Sequence, residues 1–375
     1  MTEWLDRSAA LATLGVRRET LYAYVSRGRI GARPDPEDPR RSLYRAADIA
    51  ALVGRRARGR RHSAIAASAI AWGEPLITTS ISTIHNGRLV YRGRDAVILA
   101  ESATIEDVAG LLWEQSDIAF PGSASGVSAD PFVALAGLVG KAPHSLGRSP
   151  KRLCADATTV IGALAVSLGA RAKQAPVHEG LAAGWSVPAA GADLIRRALV
   201  LMADHELNTS TFAVRVAAST GASVAASLLA GLSALSGPRH GGAGQKTIEL
   251  VADAKRLGAE RAVERWLARE EPLPGFGHPL YPEGDPRARA LLDRFAPKPI
   301  LAAIHKAGME ATGHLPNADF ALAALASTLR MPADAAFRLF ALGRSVGWVA
   351  HAVEQAAARQ LIRPRAAYAG SLALD

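Results

Sequence analysis

Two histidines and one aspartate stand in segments too rich in glycine and proline to be helical. Pro274–Arg287 reads PGFGHPLYPEGDPR, with three glycines and four prolines in fourteen residues. Glycine opens backbone angles that other residues avoid, and proline fixes φ and removes a donor. The loop therefore presents His278, Asp285 and Arg287 in set positions. An imidazole can donate to a carbonyl oxygen, and a guanidinium can clamp a carboxylate with two bonds. Ser236–Gln245, SGPRHGGAGQ, holds His240 in a second such loop, and Leu315–Phe320, LPNADF, places Asp319 just after a turn signal. Two loop imidazoles and a carboxylate, each followed by an apolar helical stretch, suit enolisation better than attack by a side-chain nucleophile.

These segments are similar to those of the citrate synthase family. GFGHPLYPEGDPR resembles its signature loop and SGPRHGG its other histidine loop. Asp204–Arg215 (DHELNTSTFAVR), Gly343–Ala350 (GRSVGWVA) and Ile362–Gly370 (IRPRAAYAG) follow the family's order and spacing. The resemblance runs from about Trp72 to Gly370, roughly four-fifths of the chain. It implies a mainly α, multi-helical fold with large and small domains, and a homodimer. It also implies an acyltransferase that condenses acetyl-CoA with oxaloacetate to give citrate and CoA. No metal and no other cofactor is expected, the coenzyme A thioester being a substrate.

A methyl group beside a thioester is a weak carbon acid. Its proton leaves at neutral pH only when a placed base and a donor to the enolate oxygen act together. By resemblance Asp319 is the base, His240 bonds the thioester oxygen and His278 polarises the ketone. The same resemblance maps substrate contacts onto His205, Arg287, Phe340 and Arg344, and puts Arg363 in the neighbouring subunit's site. It lays the CoA adenine against Leu273, Pro274, Gly275, Phe276 and Gly277. Each residue also has a plainer role: His205 as a helix start, Asp319 as the N-cap of a helix from Phe320, the arginines as surface charges.

Some positions depart from the family pattern. Gly244 stands where Asn is usual, and Pro282 where a basic CoA-phosphate contact is common. Arg239 adds a cation beside His240 that disfavours its protonation. Phe320-Ala321-Leu322-Ala323 after Asp319 implies a drier base with a raised pKa. Synthesis of 2-methylcitrate from propionyl-CoA and cleavage of citryl-CoA stay open beside citrate synthesis.

The elements that must carry these residues fall into two bodies. The 375 residues have a formal charge of +10, and residues 1–62 hold fourteen Arg, no Lys and seven acidic residues, a net of +7. The other 313 residues carry the remaining +3. Residues 1–53 resemble a winged helix-turn-helix of the MerR and excisionase type. Helices are expected over Ala9–Leu14, capped by Asp6 or Ser8, over Arg18–Ser26 and over Ala46–Val53, with a wing tip in Gly31–Arg40. That resemblance places Arg17, Arg18, Thr20 and Tyr24 on or near a groove-facing helix, and Arg40 and Arg41 on the wing, with DNA as a partner. The rival function is a DNA-binding regulator that uses the synthase fold as a metabolite sensor. Residues 54–72 read as a basic linker with a connecting helix, and 73–375 as the synthase-like domain, its small subdomain near 247–345.

Leu76–Tyr91 alternates around Asn86-Gly87, a hairpin signal. From Thr104 onward three- and four-residue apolar spacing predicts helix after helix, with Leu194–Asp204 and Ser210–Leu235 each unbroken. The single cysteine, Cys154, excludes an intramolecular disulfide and reads as a packed helical residue. No histidine pair has metal-ligand spacing. Neither a signal peptide nor a membrane span is expected, and the expected compartment is the cytoplasm.

Overall fold

The computed structural model describes residues 4–14, 21, 24–25, 30–36, 38, 41–50, 77–122, 126–171, 176–269 and 271–364. The chain divides into two compact units, Met1–Thr78 and Thr79–Asp375.

In the first unit β1 (Trp4–Leu5) and β2 (Ala32–Pro34) both pair antiparallel with β3 (Ser42–Arg45). The helix α1 spans Arg7–Leu14, starting before the expected Ala9 because Asp6, rather than Ser8, caps it. Asp6 Oδ1 accepts from Ala9 N at 2.8 Å. Ala10, Leu14, Leu21, Ile30, Tyr44 and Ile49 bury a small core, with Tyr24 against its edge. Arg41 is exposed and lies 3.3 Å from Asp38. Arg17, Arg18, Thr20 and Arg40 lie outside the described residues, as do most of the expected second helix and the basic linker.

The second unit opens with a meander of β4 (Ser82–His85), β5 (Arg88–Tyr91) and β6 (Arg94–Asp95). Asn86 and Gly87 both take positive φ, as the predicted two-residue hairpin turn requires. Helices follow: α2 (Ala96–Ser102), α3 (Ile105–Trp113), α4 (Pro131–Val139), α5 (Pro150–Ser167), α6 (Val177–Gly184), α7 (Ala189–Met202) and α8 (Thr209–Ser219). Then come α9 (Val224–Leu235), α10 (Ala243–Leu257), α11 (Ala259–Leu267), α12 (Pro286–Leu292), α13 (Pro299–Thr312), α14 (Ala318–Thr328) and α15 (Ala335–Ala358).

Three boundaries differ from the periodicity. Ser210–Leu235 is two helices, because Ser223 caps a new one by accepting from Ala226 N at 3.2 Å. The helix expected to reach Asp204 stops at Met202, which leaves Asp204 and His205 in a turn. Helix α2 precedes the expected start of the helical region, and Asp95 caps it through Val97 N and Ile98 N.

Two apolar cores organise this unit, and α14 serves both. Ala318, Ala321, Leu322 and Leu325 face the larger core, while Phe320 and Ala324 face a smaller one drawn from residues 250–324. The segments that carry His278 and Asp319 border the smaller core through Phe276 and Phe320, whereas the His240 ring packs on Phe340 of the larger one. Helix α15 runs through the larger core and comes unusually close to the end of α7. A Cβ on Gly347 would stand 2.4 Å from Ala203 O, so only glycine permits the approach. Cys154 is 2% exposed in the larger core, and burial pushes its thiol up to about 11, as expected of a packed residue. Among the described residues no helix is long and apolar enough to cross a membrane.

Candidate active site

The loop before α12 is stapled to the segment before α14. Gly275 and Gly277 have φ of +83° and +70°, which lets the backbone turn twice within three residues. Gly277 N donates to Leu315 O at 2.9 Å, Asn317 N to Gly275 O at 2.8 Å, and Asn317 Nδ2 to Gly277 O at 3.0 Å. Leu273 and Phe276 turn into the smaller core, where the Phe276 ring lies 5.4 Å from that of Phe320.

Asn317, not Asp319, is the N-cap of α14. Its Oδ1 accepts from Asp319 N at 3.1 Å and Phe320 N at 3.4 Å. Asp319 is thereby released from capping and sits in the first turn with its carboxylate directed toward Gly244. A Cβ built on Gly244 would meet only Asp319 Oδ1, at 3.9 Å.

Asp285 ties the two segments together electrostatically. Its oxygens accept from Arg287 Nε at 2.9 Å and Nη2 at 2.8 Å, and Oδ2 also accepts from Ala318 N at 3.1 Å. Both partners are buried, so Arg287 is no surface charge.

The imidazoles have assignable protons. Leu280 N donates to His278 Nδ1 at 3.2 Å, so the neutral ring carries its proton on Nε2. The His278 ring stands 5.2 Å from that of His205, and His205 Nε2 lies 2.9 Å from the Tyr281 hydroxyl. His205 thus belongs to the cluster rather than to a helix start. At His240, Nε2 lies 2.8 Å from Ser210 Oγ. That hydroxyl also meets Asn208 Oδ1 at 2.8 Å and receives the Trp348 Nε1 proton at 3.2 Å. Asn208 Oδ1 is an acceptor, since Thr211 N donates to it at 3.2 Å. Ser210 therefore gives its own proton to Asn208, and His240 Nε2 donates to Ser210. The resting His240 leaves Nδ1 bare.

Phe340 and Arg344 complete the cluster from α15. The His240 and Phe340 rings meet edge to face at 5.9 Å, and the Arg344 guanidinium lies 4.8 Å over Phe340. Arg344 is 1% exposed, donates from Nε to Met202 O at 3.0 Å, and has no hydrogen-bond partner for Nη2. A buried donor without a partner is costly, and a guanidinium more so. Arg363, by contrast, is exposed beyond α15 and stands outside this buried cluster of its own chain.

Burial sets the charges. It pushes His240 down to about 4, with Arg344 adding to the effect, and His278 down to about 4, with Arg287 adding. His205 falls well below the usual histidine value for the same reasons. The expected influence of Arg239 is not the operative one: Arg239 is exposed, and the cation acting on His240 is Arg344. Burial raises the Asp319 carboxyl to about 6, against the pull of Arg287 and Arg344. His240, His278 and Asp319 are each half-buried, while Asp285, Arg287 and Arg344 beneath them are buried. Ser210, Trp348 and Tyr281 were not singled out by residue type, although all three lie inside the motifs quoted above.

Fold and site define a two-core helical protein that gathers neutral imidazoles, a high-pKa carboxylate and a buried guanidinium with one unpartnered donor. The chain belongs to the citrate synthase family: residues 141–365 match the family model for the citrate synthase C-terminal domain. The crystal structure of citrate synthase from Thermotoga maritima MSB8 superposes with a TM-score of 0.67 at 26% identity, covering 81% of this chain and 96% of that one. Citrate synthase 2 of Bacillus subtilis (strain 168) is 35% identical over 190 residues, 48% of this chain and 51% of its own. Citrate synthase of Haloferax volcanii is 36% identical over 196 residues, 49% of this chain and 52% of its own. The chain spans about half the length of the curated relatives it matches.

Proposed function

We propose that the chain condenses the enolate of acetyl-CoA with oxaloacetate, giving citrate and CoA. The observation that carries this is the pairing of a base and an anion receptor. Asp319, raised to about 6, shares a cluster with Arg344, whose buried Nη2 lacks a partner. Asp319 takes a methyl proton while His240 donates to the thioester oxygen. For His240 Nδ1 to be that donor, the ring takes its other tautomer: Nε2 gives up its proton to solvent, Nδ1 takes one from solvent, and the Ser210 hydroxyl turns from Asn208 Oδ1 to the vacated Nε2, each 2.8 Å from Oγ. The enolate carbon attacks the keto carbon of oxaloacetate, and His278 Nε2–H donates to the forming alkoxide. Water then hydrolyses the citryl thioester and releases the thiol.

Arg344 Nη2 and the Nη1 edge of Arg287 receive the two substrate carboxylates, with His205 and Phe340 lining the same side. Arg363 serves the neighbouring subunit of a homodimer. The CoA adenine rests on the backbone of Leu273–Gly277, whose side chains at Leu273 and Phe276 are committed to the smaller core. The test is thiol release from acetyl-CoA with oxaloacetate, comparing wild type and Asp319→Ala. Equal rates would remove Asp319 as the base.

The open space at Gly244 beside Asp319 favours a second substrate, propionyl-CoA, whose extra methyl would lie next to the base. For the N-terminal unit the reading is a winged helix-turn-helix that contacts DNA, supported by the excess of arginine over acidic residues and by the β2–β3 hairpin. Duplex binding that weakens steeply with salt and vanishes on removing residues 1–62 would support it; salt-independent binding would refute it.

A further inference from the structure

Three buried ionisable residues have no part in the chemistry above: Asp204 and His351 are 0% exposed, and Arg215 is 1% exposed. They form one chain of hydrogen bonds. Arg215 Nε donates to His351 Nδ1 at 3.0 Å, which leaves the ring proton on Nε2. His351 Nε2 donates to Asp204 Oδ2 at 3.2 Å, and Ser82 Oγ donates to the same oxygen at 2.5 Å. Arg215 is itself anchored by Gln355 Oε1 at 3.1 Å, Thr79 Oγ1 at 3.3 Å and an ion pair with Glu354.

This chain meets the substrate cluster at two points. On one side, Asp204 precedes His205, and Ser82 Oγ accepts from Glu206 N at 3.0 Å, so His205 is pinned from both neighbours. The Tyr91 hydroxyl adds a contact of 3.2 Å to Asp204 N. On the other side, α15 presents Arg344 two turns before His351 on the same face. Asp204 is the carboxylate that acts most strongly on Arg344, supporting its charge against burial. Asp204 Oδ1 and Arg344 Nη2 are both buried without hydrogen-bond partners. The countercharge is therefore supplied at a distance that leaves the guanidinium edge available.

We propose that Arg215, His351 and Asp204 are positioning residues for the dicarboxylate. They fix His205 and hold Arg344 charged with one donor edge unclaimed, and they leave the acyl-CoA side untouched. The inference rests on the condensation proposed above. A merely structural charge cluster would alter stability without distinguishing the two substrates.

The test uses the full chain and two substitutions. His351→Gln can accept from Arg215 and donate to Asp204; His351→Leu can do neither. Oxaloacetate binding is read by calorimetry, and the KM of each substrate by thiol release. The expected result is oxaloacetate Kd and KM raised about tenfold or more in His351→Leu, with the acetyl-CoA KM within about twofold and His351→Gln close to wild type. Equal weakening of both substrates, or identical behaviour of the Leu and Gln variants, overturns the proposal. Should His351→Leu not fold, Ser82→Ala decides: a rise confined to oxaloacetate supports the relay, and no rise defeats it. The two readings fail separately. Oxaloacetate binding that depends on His351 without thiol release by wild type defeats the condensation alone; thiol release with binding indifferent to His351 defeats the relay alone.

Discussion

Asp285 grips Arg287 with both carboxylate oxygens, at 2.9 and 2.8 Å, and the oxygen nearer Nη2 also accepts from Ala318 N at 3.1 Å. One side chain thus fixes Arg287, proposed above to receive a substrate carboxylate, and the backbone immediately before Asp319. Replacing it with Ala removes a buried countercharge, a loss on the order of 3–5 kcal/mol. Asp285→Ala is expected to lower the melting temperature and to abolish thiol release. Asp285→Asn, which keeps the contact to Ala318 N, is expected to keep more stability than activity. A variant that melts like wild type would contradict the coupling.

The raised Asp319 carboxyl has consequences for pH. A general base works ionised, so with Asp319 in the proposed role kcat/KM is expected to rise with pH through about 6 and then level. Neutral His240 and His278, held near 4, add no limb above that value. A profile whose ascending limb lies near the usual aspartate value of about 4 would show that the carboxyl is not raised.

Stability should move oppositely to activity at this residue. A native carboxyl of about 6 against an unfolded value of 3.8 binds more protons than the unfolded chain between those limits. Its contribution therefore falls as pH rises through that window, reaching a penalty of about 2–3 kcal/mol above it. Asp319→Asn is expected to be inactive yet more stable than wild type at pH 8, with the difference fading by pH 4. Urea unfolding at the two pH values measures this.

Ser210 receives donors from His240 at 2.8 Å and Trp348 at 3.2 Å. Ser210→Ala strands both and frees the tautomer of His240. Thiol release is expected to fall about 10- to 100-fold, from roughly 1–3 kcal/mol of unsatisfied donors, with little change in oxaloacetate binding. An unchanged kcat would exclude the hydroxyl from setting the His240 proton.

The loops were legible because glycine and proline punctuate them. Helices with three- and four-residue spacing were also legible, as at α3 and α13. What was hidden depends on three-dimensional neighbours. The single run Ser210–Leu235 splits at Thr220–Ser223, because Ser223 caps a new helix where apolar residues on both sides hide the break. Asp319 read singly as a cap, since by type it caps as well as Asn317 two residues earlier and only the fold chooses between them. Arg287 and Arg344 read singly as surface charges, since their partners, Asp285 two residues away and the end of α7, reveal themselves only on folding. The cation governing His240 comes from α15 rather than from its sequence neighbour Arg239.

Gly244 bears on which acyl group is used. A Cβ there would approach only Asp319 Oδ1, at 3.9 Å, so a methyl is accommodated sterically and falls in space that faces the base. That same space is where a substituent on the carbon being deprotonated would lie. Gly244→Ala is therefore expected to spare acetyl-CoA, with kcat/KM within about threefold, and to depress propionyl-CoA by about tenfold, the discrimination one methylene typically confers. The helix position also favours Ala over Gly by about 1 kcal/mol, so the variant should fold at least as well as wild type. Competition between the two thioesters in one reaction, read by the ratio of citrate to 2-methylcitrate, measures the effect directly. If the ratio does not move, the room beside Asp319 is not where the acyl substituent sits, and the chain's selectivity is set elsewhere in the cleft.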